Sequence, residues 1–381
     1  MRKIIIAPDS FKESMTALEV AQSIQKGFKK VFSNVEYTCI PMADGGEGTV
    51  QSLADALNAN IRTLTVTGPL QSKVEAIYAF ADDEKLAIIE MASASGLHLA
   101  EPNNRDPKIT TTFGTGELIK DALEQGAKRI ILGIGGSATN DGGAGAAQAL
   151  GIKLLDEENK EINVGGAALS SLAKIDMSEV HPLLKDCAID VACDVDNPLL
   201  GDQGASVIYG PQKGADPQCV AELDQSLTHF ANILTATFQK DVRNIPGAGA
   251  AGGLGAGMLA FFNARLEPGI KLVLEATKFK SHLHHADLVI TGEGRLDHQT
   301  PYGKTPIGVA KTAKELGIPV IAFAGQLGEG YEAIFNNGID AAFSIVPGVL
   351  PLNVAMENGD RFLSEAAEQV ARVIALKSIE I

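Results

Sequence analysis

Cysteine is scarce in this chain: four residues in 381 (Cys39, Cys187, Cys193 and Cys219), with no CxxC and no zinc-like spacing. So few thiols in a large chain fit a reducing compartment and argue against a disulfide-built secreted fold, so the expected location is cytoplasmic. Long apolar runs are missing too, since no window reaches the ~18 or more uninterrupted apolar residues of a membrane span. The opening MRKIIIAPDS starts basic and turns apolar, but Pro8 and Asp9 cut the run short. That predicts a first strand and not a signal peptide. Positive charge is also in deficit, with 32 Lys and Arg against 47 Asp and Glu and a net charge of −15. Nucleic acids and membrane surfaces demand a basic footprint, so neither is an expected partner. A small anion remains allowed, provided its site gathers local Lys and Arg. No serine is framed as G-x-S-x-G and no HExxH occurs. His282, His284 and His285 have no carboxylate or thiolate at a set spacing, which makes them helix-end surface residues and not a metal cluster.

What is abundant is glycine, 40 residues gathered into a few runs without a collagen-like period. The run that organises the rest is Arg129 to Gly151, RIILGIGGSATNDGGAGAAQALG. Ile130-Ile131-Leu132 suits a buried strand, and Ala144 to Leu150 reads as a helix closed by Gly151. Strand, glycine turn and helix bring backbone N–H groups toward a phosphate at a helix N-terminus. Gly135, Gly136 and Gly142 would let the anion approach, and Ser137 or Asn140 would add donors. Such a turn can also be purely structural, with Asn140 or Asp141 as an ordinary N-cap. The glycine density exceeds what a turn needs and favours the phosphate reading.

A chain of 381 residues is longer than one hydrophobic core usually supports, so two domains are expected. Lys3 to Ala7, a helix from Thr16 to about Phe32 opened by a capping box with Glu19, Glu36 to Met42 and Val50 to Leu57 make a βαβα start. From about Asn60 the pattern turns to alternation, with Arg62–Thr67, Val74–Phe80 and parts of Lys85–Met91 forming an antiparallel meander. Cys187 to Val195 is strand-like and Ala221 to about Lys240 helical. From Ala286 the βα rhythm returns and ends in a helix from Phe362 to about Lys377. The expected fold is therefore α/β with two domains. Residues 1–60 and 286–381 form a discontinuous, parallel, Rossmann-like α/β domain. Residues 61–285 form an inserted mixed α/β domain bearing the glycine-rich phosphate motif.

Two near-motifs are discounted. Gly247 to Gly257 contains a formal G-x-G-x-x-G, but no strand precedes it and no acidic residue follows at the dinucleotide spacing, so close helix packing or a mobile loop is expected. HQTPYGKT, His298 to Thr305, approximates a P-loop with His298 where the first glycine belongs. What remains are polar loops at strand C-termini: Pro8–Lys12, Asp44–Glu47, Gly135–Gly143, Asp194–Asn197 and Gly292–Asp297. Together they supply phosphate donors, carboxylates to hold Mg²⁺ and accept a proton, and cations to balance transition-state charge. That is the equipment of phosphoryl transfer.

APDSFKESMTA (Ala7–Ala17), MADGGEGT (Met42–Thr49), GIGGSATNDGGAG (Gly133–Gly145), CDVDNPLLG (Cys193–Gly201), GPQKGA (Gly210–Ala215), PGAGAAGGLG (Pro246–Gly255) and ADLVITGEGRLDHQT (Ala286–Thr300) run in order over nearly the whole chain. Together they resemble the bacterial type I glycerate kinases. Glu13, where glycine is common after APDSFK, is a minor departure. The resemblance implies ATP- and Mg²⁺-dependent phosphorylation of glycerate, with 2-phosphoglycerate favoured over the 3-phosphate, in glycolate, glyoxylate or sugar-acid breakdown. It carries no firm residue roles, so the roles come from the residues themselves. Gly135, Gly136, Ser137, Asn140 and Gly142 are expected to bind ATP, and Asp194 and Asp141 to hold Mg²⁺. Ser10, Lys12 and Arg295 are expected to bind glycerate, with Asp44 taking the hydroxyl proton and Asp194 joining it as catalytic. A non-catalytic binder of a small acidic metabolite, or a kinase of another small hydroxy acid, stands as the alternative.

Overall fold

The computed structural model describes residues 1–376 and divides into two compact units. The first holds Met1–Asp44, Gln51–Asn58 and the chain from Ile270 onward; the second holds Gly45–Val50 and Ala59–Gly269. Residues 270–285, which the sequence reading put in the insertion, thus pack with the chain ends. The cause is apolar contact: Ile270 lies so close to Gly308 that an added Cβ there would sit 2.3 Å from Ile270 Cγ1.

In the first unit, Ala341–Ser344, Val320–Leu327, Leu288–Leu296, Lys3–Ile6 and Glu36–Cys39 lie side by side in that order, all parallel. Ile4, Ile5, Ile6, Val289, Ile290, Ala322 and Phe323 are sealed from solvent. Burial on both faces explains why these strands read as unbroken apolar runs. Numbered within the unit, the strand order is 5-4-3-1-2, so the direction of travel reverses between Lys3–Ile6 and Leu288–Leu296. Open parallel sheets bind ligands beyond the strand carboxyl ends at such a switch point. The helix Ala17–Lys29 opens at Thr16 with the expected capping box: Glu19 N donates to Thr16 Oγ1 at 3.3 Å, and Thr16 N to Glu19 Oε2 at 2.8 Å. Its Val20, Ile24 and Phe28 stripe joins Phe362, Leu363 and Ala367 of the closing helix over Ile4, Ile6 and Ile290. Lys377, the expected end of that helix, lies outside the described residues.

The second unit carries a six-stranded mixed sheet. Asn60–Thr67, Lys73–Ala81 and Leu86–Glu90 are the antiparallel meander that the alternation indicated. Leu86–Glu90 then pairs in parallel with Arg129–Gly133, followed by Ala188–Ala192 and Arg265–Glu267. Asp190, fully buried, takes Arg129 Nε at 2.7 Å and Arg265 Nε at 2.8 Å, tying three parallel strands together. The glycine run after Gly247 forms the buried helix Ala250–Phe261, broken by left-handed Ala251, Gly252 and Gly253. Gly142 N donates to Gly252 O at 3.0 Å, so this run serves close packing. No helix among the described residues is long and apolar enough to cross a membrane.

Candidate active site

The longest strand of the first sheet, Leu288–Leu296, outruns Lys3–Ile6, because their pairing stops at Ile6 and Ile290. The overhanging end, still paired with Val320–Leu327 on its other edge, carries Glu293 and Arg295, two residues apart and therefore on one side of the strand. The loop after the first strand is held beside it: Asp9 N donates to Gly292 O at 2.9 Å and Thr291 Oγ1 to Ala7 O at 2.8 Å. The loop then turns back, with Phe11 and Met15 bridging and Glu13 at φ 61. Only glycine takes that left-handed conformation without cost, which gives the Glu13 departure a physical meaning.

These segments enclose a cavity of about 380 Å³ whose charged lining is Asp9, Lys12, Asp44, Glu293, Arg295 and Lys304. Burial lifts the Asp9 carboxyl from 3.8 to about 6, with Asp44 adding repulsion. Thr305 Oγ1 donates to Asp9 Oδ2 at 2.5 Å and Ser10 N to Oδ1 at 2.7 Å, both opposing that rise. Burial also lifts Glu293 to about 7, against Lys304 Nζ at 3.4 Å and Thr300 Oγ1 at 2.9 Å. Arg295 is half-exposed and pairs through Nε with Asp297 Oδ2 at 3.1 Å. The structure thus brings Ser10, Lys12, Asp44 and Arg295 into one cavity.

Asp9, Glu293, Lys304 and Thr305 also belong to this cluster and are not among the site residues that the sequence pattern predicts. The near-P-loop HQTPYGKT carried a signal for the last two. It fails as a P-loop, since a turn and not a strand precedes the helix Thr305–Lys314, yet its Lys-Thr pair engages the cavity carboxylates. A second hollow of about 480 Å³, beside Lys271, Lys278 and Lys280, holds none of the expected residues.

The remaining expected residues lie in the second unit. Gly135 and Gly136 form an exposed turn after the strand Arg129–Gly133, with Gly136 at φ 72. An added Cβ at Gly136 would meet only Ala92 Cβ, at 3.4 Å. Beyond them the segment turns inward. Asp141 is fully buried, and its carboxylate accepts from Thr112 N (2.8 Å), Thr112 Oγ1 (2.9 Å), Gly143 N (3.2 Å) and Gly145 N (3.2 Å). It therefore takes up amides at the start of the helix Ala144–Ala149 that a phosphate would have used, and its own oxygens, filled by these donors, have little left to offer the Mg²⁺ expected there. Asn140 is buried, with Nδ2 on Ser206 Oγ at 3.0 Å. Gly142 is a packing glycine: a Cβ there would lie 2.5 Å from Phe230 Cε1. Both are walled off from a ligand in solvent. Ser137 Oγ accepts from the buried Lys213 Nζ at 2.8 Å, which also reaches Thr139 O at 2.6 Å. Burial pulls that lysine down to about 7, opposed by Asp141. Asp194 is exposed and accepts from Gly269 N at 3.1 Å. Among the described residues no three His, Cys, Asp or Glu side chains form a metal cluster.

A parallel α/β unit with carboxylates and cations at its switch point defines a class of small-molecule-handling α/β protein. Comparison with known proteins narrows the class. The profile of the glycerate kinase family matches residues 4–375, and the chain belongs to that family. It is 59% identical over 373 residues to a glycerate kinase of Halalkalibacterium halodurans, covering 98% of each chain. It is 50% identical over 374 residues to the glycerate 2-kinase of Escherichia coli, again covering 98% of each. The crystal structure of a glycerate kinase 2 candidate from Salmonella typhimurium superposes with a TM-score of 0.92 at 47% identity, covering 99% of both chains.

Proposed function

We propose that this protein is a cytoplasmic type I glycerate kinase that moves the γ-phosphoryl group of ATP to a hydroxyl of D-glycerate. The product is 2-phosphoglycerate, in keeping with the name of the Escherichia coli relative, and the setting is glycolate, glyoxylate or sugar-acid breakdown. The observation that carries the reading is the cavity at the carboxyl end of the first sheet, where a buried carboxylate with raised proton affinity shares a wall with Lys12, Arg295 and Lys304. The unit built from both chain ends is the Rossmann-like domain of this reading.

The chemistry follows from the side chains. The glycerate carboxylate pairs with Lys12 and Arg295, and Ser10 adds a hydroxyl. Charge-assisted donors are what a small anion needs to leave water. Asp44 orients the attacking hydroxyl, and Asp9 takes its proton. A base poised near the working pH is the more effective one, and Asp9 sits closer to it than an ordinary aspartate. Lys304 balances charge on the transferring group. The exposed turn at Gly135 and Gly136 supplies backbone N–H donors to a phosphate, and Lys213 braces the segment that follows through Ser137 and Thr139.

A Mg²⁺ ion brought with the nucleotide would offset phosphate charge. Such an ion rests on one or two carboxylates plus phosphates, so it requires no preformed cage. The exposed Asp194 fits that role, whereas Asp141, enclosed by four donated hydrogen bonds, does not. ADP release with ATP, Mg²⁺ and a panel of small hydroxy acids tests the reading. D-Glycerate should give the highest kcat/KM, and a clear preference for another acid would replace it as substrate.

A further inference from the structure

A three-carbon hydroxy acid, polar at every carbon, accounts for only the polar part of the cavity lining. Its volume of about 380 Å³ falls within the ~300–1,000 Å³ of pockets that hold drug-sized ligands. Its lining also includes an apolar group that such an acid cannot use, Ile345, Val346, Leu352, Ala355 and Met356. Leu352 is 75% exposed, so an apolar ligand resting against it would take it out of water. Gln326, at the end of the strand Val320–Leu327, brings a side-chain amide able to donate and accept on the edge of a ring. The Met356 side chain adapts readily to a flat aromatic surface. This wall sits past the carboxyl ends of the edge strand Ala341–Ser344 and its neighbour Val320–Leu327, in the sheet whose switch point carries the charged groups.

We propose that this apolar wall seats the nucleotide base, with Val346, Leu352 and Met356 against the ring and Gln326 on its edge. The phosphate chain then runs toward Lys304 and the carboxylates, so that base and acid substrate occupy opposite ends of one cavity. The assignment rests on the kinase reading above and adds to it where the nucleotide is recognised.

The chain has no tryptophan, so Leu352→Trp places a single indole reporter at the cavity rim. Adenosine alone should change its fluorescence saturably, while tripolyphosphate and D-glycerate should not. In kinetics, Ala355→Phe should raise the KM for ATP at least tenfold and leave that for glycerate within twofold. An indole that responds to glycerate and ignores adenosine would overturn the proposal, as would an unchanged ATP KM in a folded Ala355→Phe variant. Wild-type protein assayed in parallel separates the two claims: absence of glycerate phosphorylation there contradicts the kinase reading, whatever adenosine does to the indole.

Discussion

Replacing Asp9 by Asn separates what this carboxylate does for the reaction from what it costs the fold. Its proton affinity is raised from 3.8 to about 6, chiefly because it is out of water. A gap of about two pH units corresponds to about 3 kcal/mol between folded and unfolded states. Since the folded value lies above the unfolded one, the native protein keeps this proton longer. The associated stability is fully present below pH 3.8 and is lost as pH rises through about 6. Above pH 7 the ionised group weighs against folding, and Asp9→Asn discards the charge while its amide oxygen still accepts from Ser10 N and its NH₂ can donate to Thr305 Oγ1. Urea unfolding at pH 8 should show the variant more stable by about 1–3 kcal/mol, with the gap closing near pH 4. The same variant should lose kcat by about 100- to 10,000-fold, the usual worth of a positioned base. In the wild type, kcat/KM should rise with pH, because the base must be ionised to act. That limb belongs to the Asp9–Glu293 pair, lifted to about 6 and about 7, and not to one residue. A variant no more stable than wild type at pH 8, or one that keeps its turnover, refutes the reasoning.

Arg295→Ala should raise the KM for glycerate by about 2–4 kcal/mol equivalent, with ATP affinity little changed and only partial recovery in Arg295→Lys; a near-wild-type KM would leave the arginine with its Asp297 contact alone. Gly136→Val should weaken nucleotide binding in calorimetric titration, since φ 72 is strained for a β-branched side chain and would distort the exposed turn; unchanged affinity in a folded variant removes the turn from the site. Asp141→Ala should cost about 3 kcal/mol or more in denaturant unfolding, because it strands buried donors. The Mg²⁺ concentration for half-maximal rate should stay put in that variant, and a large shift would restore Asp141 as a metal ligand.

The sheets were legible because their residues have few other options. Ile4–Ile6, Ile130–Leu132 and Leu288–Ile290 are short apolar runs that only a doubly covered strand satisfies, and Arg62–Thr67 alternates as a half-solvated strand must. The direction of polar side chains was less legible. Asp141 and Asp194 look alike in a glycine- and aspartate-rich loop, yet one turns inward to cap a helix and the other faces solvent. That choice is made by Thr112, distant in sequence. Asp9 was passed over for Asp44 for the same reason: its raised proton affinity comes from burial that no local pattern reports. Lys304 and Thr305 were visible in a near-motif but were set aside with the motif.

The central claim is transfer of a phosphoryl group from ATP to glycerate. Purified protein with ATP, Mg²⁺ and D-glycerate, followed by ³¹P NMR, tests it most directly. The account predicts a phosphomonoester resonance assignable to 2-phosphoglycerate, growing as the ATP γ-resonance declines, with none formed when glycerate is omitted. ATP that stays intact, or ADP and inorganic phosphate appearing at the same rate with and without glycerate, would contradict it.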